Sequence, residues 1–198
     1  MGVCKIYDDV FDAQYLNELY LILDTELKYN ASNTANRKTY PYGHTGTHKL
    51  FGHNLFVRNG VNSIVYFDNK FAKNFISLFY FLCDLRNIKP NNAYLERISV
   101  NLQHSGCNGS LHRDANPEDN SSTFMLFANP VWKKEWGGQF SIWSDDETEM
   151  LEEVEYKAGR VVMFPAHLPH LGVGAKPEYP YVYRYSIVFG VRPLSAFS

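Results

Sequence analysis

The chain has 198 residues, the size of one folded domain, and is long enough to bury a substantial core. With 45% apolar and 20% charged residues and a net charge of −2, it is neither a disordered chain nor a polybasic nucleic-acid binder. Aromatic residues reach 16%, which predicts a dense, β-rich core.

In chain order, the first nine residues carry no basic stretch followed by an apolar run, so no secretory leader is expected. Gly2 is followed at position 6 by Ile, where a myristoylation signal needs Ser or Thr. Apolar residues at Tyr15, Leu16, Leu19, Tyr20, Leu23 and Leu27 predict an amphipathic helix over 12–29 with Asp12 as its N-cap. Residues 30–63, rich in Asn, Thr, Gly and His, read as long loops with one or two short strands, and His44, His48 and His53 within them as ordinary polar residues. A second helix is expected over 69–85, ending before Lys89-Pro90.

Beyond Pro90 the texture changes to short β-like runs at 94–103, 122–128, 139–143, 153–157, 160–164, 168–173 and 182–191, separated by turn residues. Two helices followed by seven or eight strands predict a mainly β fold, a two-sheet jelly roll with helices against one face. The whole chain, 1–198, reads as one domain, with helical support and loops over 1–93 and a jelly-roll core over 94–192. Cys4, Cys83 and Cys107 are odd in number and scattered, so free thiols and a cytoplasmic, intracellular setting are expected. The longest apolar run, 75–83, is about half of what spans a bilayer, and no membrane partner is expected. Trp132 and Trp136 read as core or lid packing, and the run 145–149 as a solvated hairpin.

His112-Arg113-Asp114 places a histidine and a carboxylate two apart, on one side of an extended segment. Composition alone would give roughly 0.7 such pairs among seven histidines, so the pair by itself says little. Its companions raise the signal. They are an apolar strand 123–127, then Gly137-Gly138-Gln139-Phe140, then Gly159 to Pro165, then Leu168-Pro169-His170, then Arg184-Tyr185-Ser186. One His, one carboxylate and one late His make a mononuclear non-haem Fe(II) site with open coordination positions. A buried arginine on a following strand calls for an anion to meet it.

In these elements the chain resembles the Fe(II)/2-oxoglutarate-dependent dioxygenases, and among them the prolyl-4-hydroxylase-like branch, over about residues 94–192. The resemblance implies a double-stranded β-helix of the jelly-roll, cupin-like type. It implies Fe(II) on His112, Asp114 and His170, 2-oxoglutarate chelated to that iron, Arg184 on its far carboxylate with Ser186 adding a hydroxyl, and O2 as oxidant, with ascorbate as a further reductant. The implied activity is hydroxylation of a C–H bond in a protein or peptide, or in a small molecule. His167 competes with His170 for the distal position; the spacing after Gly159-Arg160 favours His170 and leaves His167 at the pocket edge.

A narrower similarity joins Asn101-Leu102-Gln103-His104-Ser105-Gly106 and Ser110-Leu111-His112-Arg113-Asp114 to the AlkB-like demethylases. It implies that Asn101 contacts 2-oxoglutarate and puts Gln103 where that family carries Tyr, an amide that can still donate to a carboxylate. The demethylases carry a second arginine where this chain has Gly190, and with the charge of −2 this ranks a nucleic-acid partner low. A zinc site built from His104, Cys107, His167 and His170, and a jelly-roll binding domain without chemistry, are the remaining alternatives.

Overall fold

The computed structural model describes residues 2–34, 49–58, 65–67, 70–85 and 93–193. His44 and His48 lie outside them. Eight strands form one large sheet and three a small one. The large sheet runs β1 (Lys5–Tyr7), β9 (Val161–Pro165), β6 (Ser122–Phe127), β11 (Arg184–Pro193), β5 (Ala93–Gln103), β3 (Lys49–Arg58) and β2 (Asn30–Thr34), with β4 (Val65–Phe67) paired to β3. The small sheet runs β10 (His170–Gly172), β7 (Phe140–Trp143) and β8 (Met150–Val154). All pairings are antiparallel.

The side-chain alternation of the central strands builds two cores. On β6, β5 and β11, Phe124, Leu126, Ile98, Val100, Ile187 and Phe189 point to the outer face. They pack against Leu19 and Leu23 of the first helical segment and Phe75, Phe79 and Leu82 of the second. Met125, Phe127, Val162, Phe164 and Val188 point inward and meet Phe140, Ile142 and Val154 of the small sheet. The aromatic richness is therefore shared between a helix-backed core and the space between the sheets.

The first helix is shorter than its periodicity predicts. Helix α1 (Ala13–Leu21) starts at Asp12, whose carboxylate accepts from the Tyr15 amide at 2.7 Å. It then widens into a π-helical turn, Ile22–Glu26, before Leu27 turns extended. Apolar spacing persists through that turn because Leu23 and Leu27 still face the core, which is why the pattern reads on past the helix end. Helix α2 (Ala72–Leu85) ends where expected. The loop reading of 30–63 is corrected by β3, a ten-residue strand that extends the large sheet beside β5. Its register shift between Asn54 and Phe56 breaks the period-two pattern that would have announced it. Strand β8 lies at 150–154 rather than 153–157, and β1 has no counterpart among the predicted strands.

Cys4, Cys83 and Cys107 are all free thiols, as their spacing suggests. Among the described residues no helix is long and apolar enough to cross a membrane.

Candidate metal centre and anion pocket

Residues 110–115 run antiparallel to 166–170, alongside the small sheet. His112 and His170 form a β-bridge. The Asp114 and Ala115 amides both donate to the Ala166 carbonyl, at 2.9 and 3.1 Å. Extended backbone on both sides brings His112, Asp114 and His170 together, with one ligand atom from each lying within 4.8 Å of the others. The His112 and His170 rings sit 4.4 Å apart, and Asp114 lies 3.9 Å from Nε2 of His112 and 3.7 Å from Nε2 of His170.

Both rings are oriented in the same way. Nδ1 of His112 lies 2.9 Å from the Ser110 carbonyl, and Nδ1 of His170 lies 2.9 Å from the Leu168 carbonyl. A carbonyl can only accept, so each Nδ1 donates and each Nε2 is the nitrogen turned toward the metal position. Burial pushes the His170 imidazolium down to about 4 against the attraction of Asp114, so this ring is neutral at physiological pH. Burial by itself would raise the Asp114 carboxyl, but Arg97, the two histidines and a Thr123 hydrogen bond outweigh it and hold it at about 2. At neutral pH the site therefore offers neutral imidazole and a carboxylate, the donor set for a divalent cation. His112 is the open side, its side chain 51% exposed against 6% for His170.

Arg184 is the largest fully buried side chain, 1% exposed. Among the described residues it has no carboxylate partner. Its Nε donates to the Gly138 carbonyl at 3.1 Å, and Nη1 donates to Gln103 Oε1 at 2.8 Å and, more loosely, to Ser186 Oγ at 3.4 Å. The guanidinium stacks over Phe127 and Tyr156, and Nη2 is buried with no partner. Burial lowers its pKa to about 10, which still leaves it charged at neutral pH. A buried guanidinium with an unused donor is costly until an anion meets it.

Gly172 faces this guanidinium. A Cβ there would sit 3.3 Å from Gln103 Oε1 and 3.4 Å from both Nη atoms of Arg184, so glycine keeps the approach clear. Gly138, at φ +85°, is held over Trp132, whose indole would lie 2.6 Å from a Cβ at that position. Trp132 in turn packs on Tyr156 at 4.2 Å and donates to the Gly137 carbonyl. It thus supports the wall on which Arg184 stacks, as a packing residue.

The remaining predicted residues separate by role. Gln103 is buried, and both of its amide hydrogens are taken, by the carbonyls of Cys107 at 3.2 Å and Gly172 at 2.9 Å. It orients Arg184 instead of offering a free donor. Ser186 and Asn101 are cross-strand neighbours on the inner face, Ser186 buried and Asn101 half-buried. His167 does not join the metal triad; its carbonyl accepts from Arg113 and its Nδ1 is buried without a partner. His104 packs between Phe51 and Tyr183, and no group of potential ligands among the described residues unites it with Cys107, which corrects the zinc alternative. His53 sits on β3 with Nδ1 2.9 Å from the Lys28 carbonyl. The 145–149 run is exposed, but Asp145 is bound to Arg113 through its side chain at 2.6 Å and through its carbonyl.

Two residues of the site do not stand out in the sequence. Arg97 on β5 bonds one oxygen of Asp114 through Nη2 at 3.0 Å, and Thr123 on β6 donates to the other at 2.8 Å. The alternation Arg97, Ser99, Asn101, Gln103 against Ile98, Val100, Leu102 is the signal that puts Arg97 on the same face as the candidate residues.

Residues 97–190 match the family model of the 2OG-Fe(II) oxygenase superfamily. Over those 94 of its 198 residues the chain is similar to a 2OG-Fe(II) oxygenase domain. No curated protein matches the sequence. Among solved structures, an oxidoreductase of the 2OG-Fe(II) oxygenase family from Burkholderia pseudomallei is similar at TM-score 0.65 and 16% identity, over 96% of this chain and 85% of that one. A Pseudomonas putida prolyl-4-hydroxylase is similar at 0.61 and 16%, over 98% and 94%. A prolyl hydroxylase from Trichoplax adhaerens, solved with a hypoxia inducible factor oxygen degradation domain peptide fragment, is similar at 0.64 and 13%, over 100% and 88%. At such identities the likeness is one of fold: the chain has the jelly-roll architecture of the prolyl hydroxylases. The family is one of oxidoreductases that use Fe(II), 2-oxoglutarate and O2.

Proposed function

We propose that this chain is a 2-oxoglutarate-dependent hydroxylase that oxidises a C–H bond of a peptide or protein, with a small polar metabolite as the second substrate class. The observation that carries this reading is the pairing of a compact His112, Asp114, His170 donor set with a buried Arg184 that has no carboxylate partner among the described residues. A metal site alone would not need that arginine, and an anion site alone would not need the triad.

The residues fit both groups. His112, Asp114 and His170 would hold Fe(II), which when bound would supply the oxidising power for the C–H bond. Arg184 would take the far carboxylate of 2-oxoglutarate with its unused Nη2, while Gln103 holds the guanidinium in place through Nη1. Phe127, Tyr156 and Trp132 keep water from that end, so the ion pair forms in a low-dielectric pocket. His112, on the exposed side, marks the direction from which substrate arrives.

The peptide reading draws support from the folds of the Pseudomonas putida and Trichoplax adhaerens hydroxylases. A nucleic-acid dealkylase is the second reading, and one observation revives it. Gly190 lacks the arginine of the demethylases, yet Arg97 on β5 is paired with it and lays a cationic side chain beside it, its Nε 3.7 Å from where a Cβ would sit. Release of succinate against a panel of proline-containing peptides, free amino acids and methylated oligonucleotides separates these classes. Stimulation by a peptide supports the proposal; stimulation by methylated oligonucleotide alone, weakening steeply with salt, replaces it with the dealkylase.

A further inference from the structure

We propose that Arg97 and Thr123 are a brace that fixes the plane of the Asp114 carboxylate, making them positioning residues for the metal. The inference rests on the metal-site reading above and extends it to residues outside the ligand set.

Three strands place this brace in one row. Gly190 on β11 is paired with Arg97 on β5 and with Thr123 on β6, so the three share one level on the inner face of the large sheet. The outer two reach Asp114 from opposite sides: Arg97 Nη2 lies 3.0 Å from Oδ1, and Thr123 Oγ1 donates to Oδ2 at 2.8 Å. Gly190 leaves the space between them clear. Even a Cβ there would come to 3.5 Å from the Arg97 Cβ and 3.7 Å from its Nε, so a larger side chain would press on the guanidinium.

With one donor on each oxygen, the carboxylate can neither rotate nor tilt without breaking a bond. The arrangement is also asymmetric in cost. Asp114 has a 12% exposed side chain and Thr123 is 1% exposed, so loss of either donor leaves a buried oxygen unsatisfied. Arg97 has no other ion pair among the described residues, and its Nε is buried without a partner, so its contact with Asp114 is what holds its guanidinium here.

Arg97 has two opposing effects on a cation bound beside Asp114. As a nearby positive charge it repels the metal; as a brace it removes the freedom the carboxylate would lose on binding. Groups that orient a metal ligand are typically worth about 10- to 100-fold in metal affinity, and here Thr123 acts with the same geometry and no charge. The brace therefore predicts that orientation outweighs repulsion.

The test is titration with Co(II) alone, followed by its visible absorption, in the wild type and in Arg97→Met, Arg97→Gln and Thr123→Val. Thermal unfolding of each metal-free variant verifies the fold. Arg97→Met and Thr123→Val should weaken Co(II) binding by about 10-fold or more, and Arg97→Gln, which keeps a donor without the charge, should recover part of the loss. Tighter binding in Arg97→Met would mean the residue acts only as a repelling charge and would overturn the proposal, as would unchanged affinity in Thr123→Val. Wild-type protein that binds no Co(II) overturns the metal-site reading and the brace together. Should Arg97→Met fail to fold, the near-isosteric Thr123→Val decides the question.

Discussion

His112 and His170 are each other's cross-strand partners: the His112 amide donates to the His170 carbonyl at 3.1 Å, and the His170 amide returns the bond at 2.9 Å. The two imidazoles are thus set side by side by backbone pairing, before any metal binds. Replacing His112 by Ala removes an exposed ring and leaves these backbone bonds in place. His112→Ala should unfold within a few degrees of the wild type and yet lose Fe(II) retention and 2-oxoglutarate turnover, measured by calorimetry, metal analysis and succinate assay.

The unused Nη2 of Arg184 predicts a large stabilisation by cosubstrate. At a free concentration of 100 times its Kd, a ligand that binds only the folded state contributes about 2.7 kcal/mol. For a chain of this size that corresponds to about 5–10 °C in Tm. Adding 2-oxoglutarate with Mn(II) should give a shift of that order. Arg184→Met should abolish the shift; its ligand-free Tm gains from removal of a buried cation and loses from the Gly138 carbonyl and Gln103 Oε1 left without a donor, so the ligand-induced shift is the readout. A variant that still shows the full shift would remove Arg184 from the pocket.

Gly172→Ala tests the approach to the same group. The added methyl would lie 3.4 Å from both Nη atoms, where a carboxylate oxygen must come. An increase of about 10-fold or more in KM for 2-oxoglutarate is expected, with metal affinity unchanged. This follows from the roughly 1.5–3 kcal/mol that a hydrogen bond to a charged group contributes.

The buried His170 gives the metal-free protein a definite pH response. Its folded pKa of about 4 lies below the unfolded value of 6.5, so between these limits the unfolded chain binds the extra proton and stability falls as pH falls. The full difference is on the order of 3 kcal/mol. Asp114, held at about 2, adds stability that is complete above its unfolded value of 3.8 and is lost only as pH drops through 2. Urea midpoints of EDTA-treated protein should decline from pH 6.5 to 4, and His170→Gln should flatten that decline. A variant with an unchanged slope would assign the response elsewhere.

Arg113 ties the ligand-bearing segment to its surroundings, donating to the Asp145 carboxylate at 2.6 Å and to the His167 carbonyl at 2.8 Å. Arg113→Ala should loosen both neighbours of the metal, weakening Fe(II) binding by about 10-fold with little change in KM for 2-oxoglutarate. Competition titration with a metal indicator measures the first, and the succinate assay the second.

The β-rich half was legible because its strands are short, bounded by turn residues and period-two in pattern, and because His112, Asp114, His170 and Arg184 recur in a fixed order around them. The site residues that stayed hidden are those whose role is set across strands. Arg97 meets Asp114 only through sheet pairing, and Gly190 looked like a missing arginine until its partner on β5 was in view. Gln103 is legible as a polar residue on the inward face of β5, but its amide hydrogens go to two backbone carbonyls that no local pattern reveals. The acidic run at 145–149 looked solvated, and only the fold brings Asp145 to Arg113. In the amino-terminal third, the bulge in β3 and the π-helical turn after α1 interrupt the two periods on which such reading depends.

The central claim is that one carboxylate, Asp114, and one buried cation, Arg184, serve a single 2-oxoglutarate-consuming site. Succinate formation from 2-oxoglutarate with Fe(II) and O2 measures it most directly, comparing the wild type with Asp114→Ala and Arg184→Met. Fe(II)-dependent succinate release is expected from the wild type, with background levels from both variants. Release that persists in Asp114→Ala would contradict it.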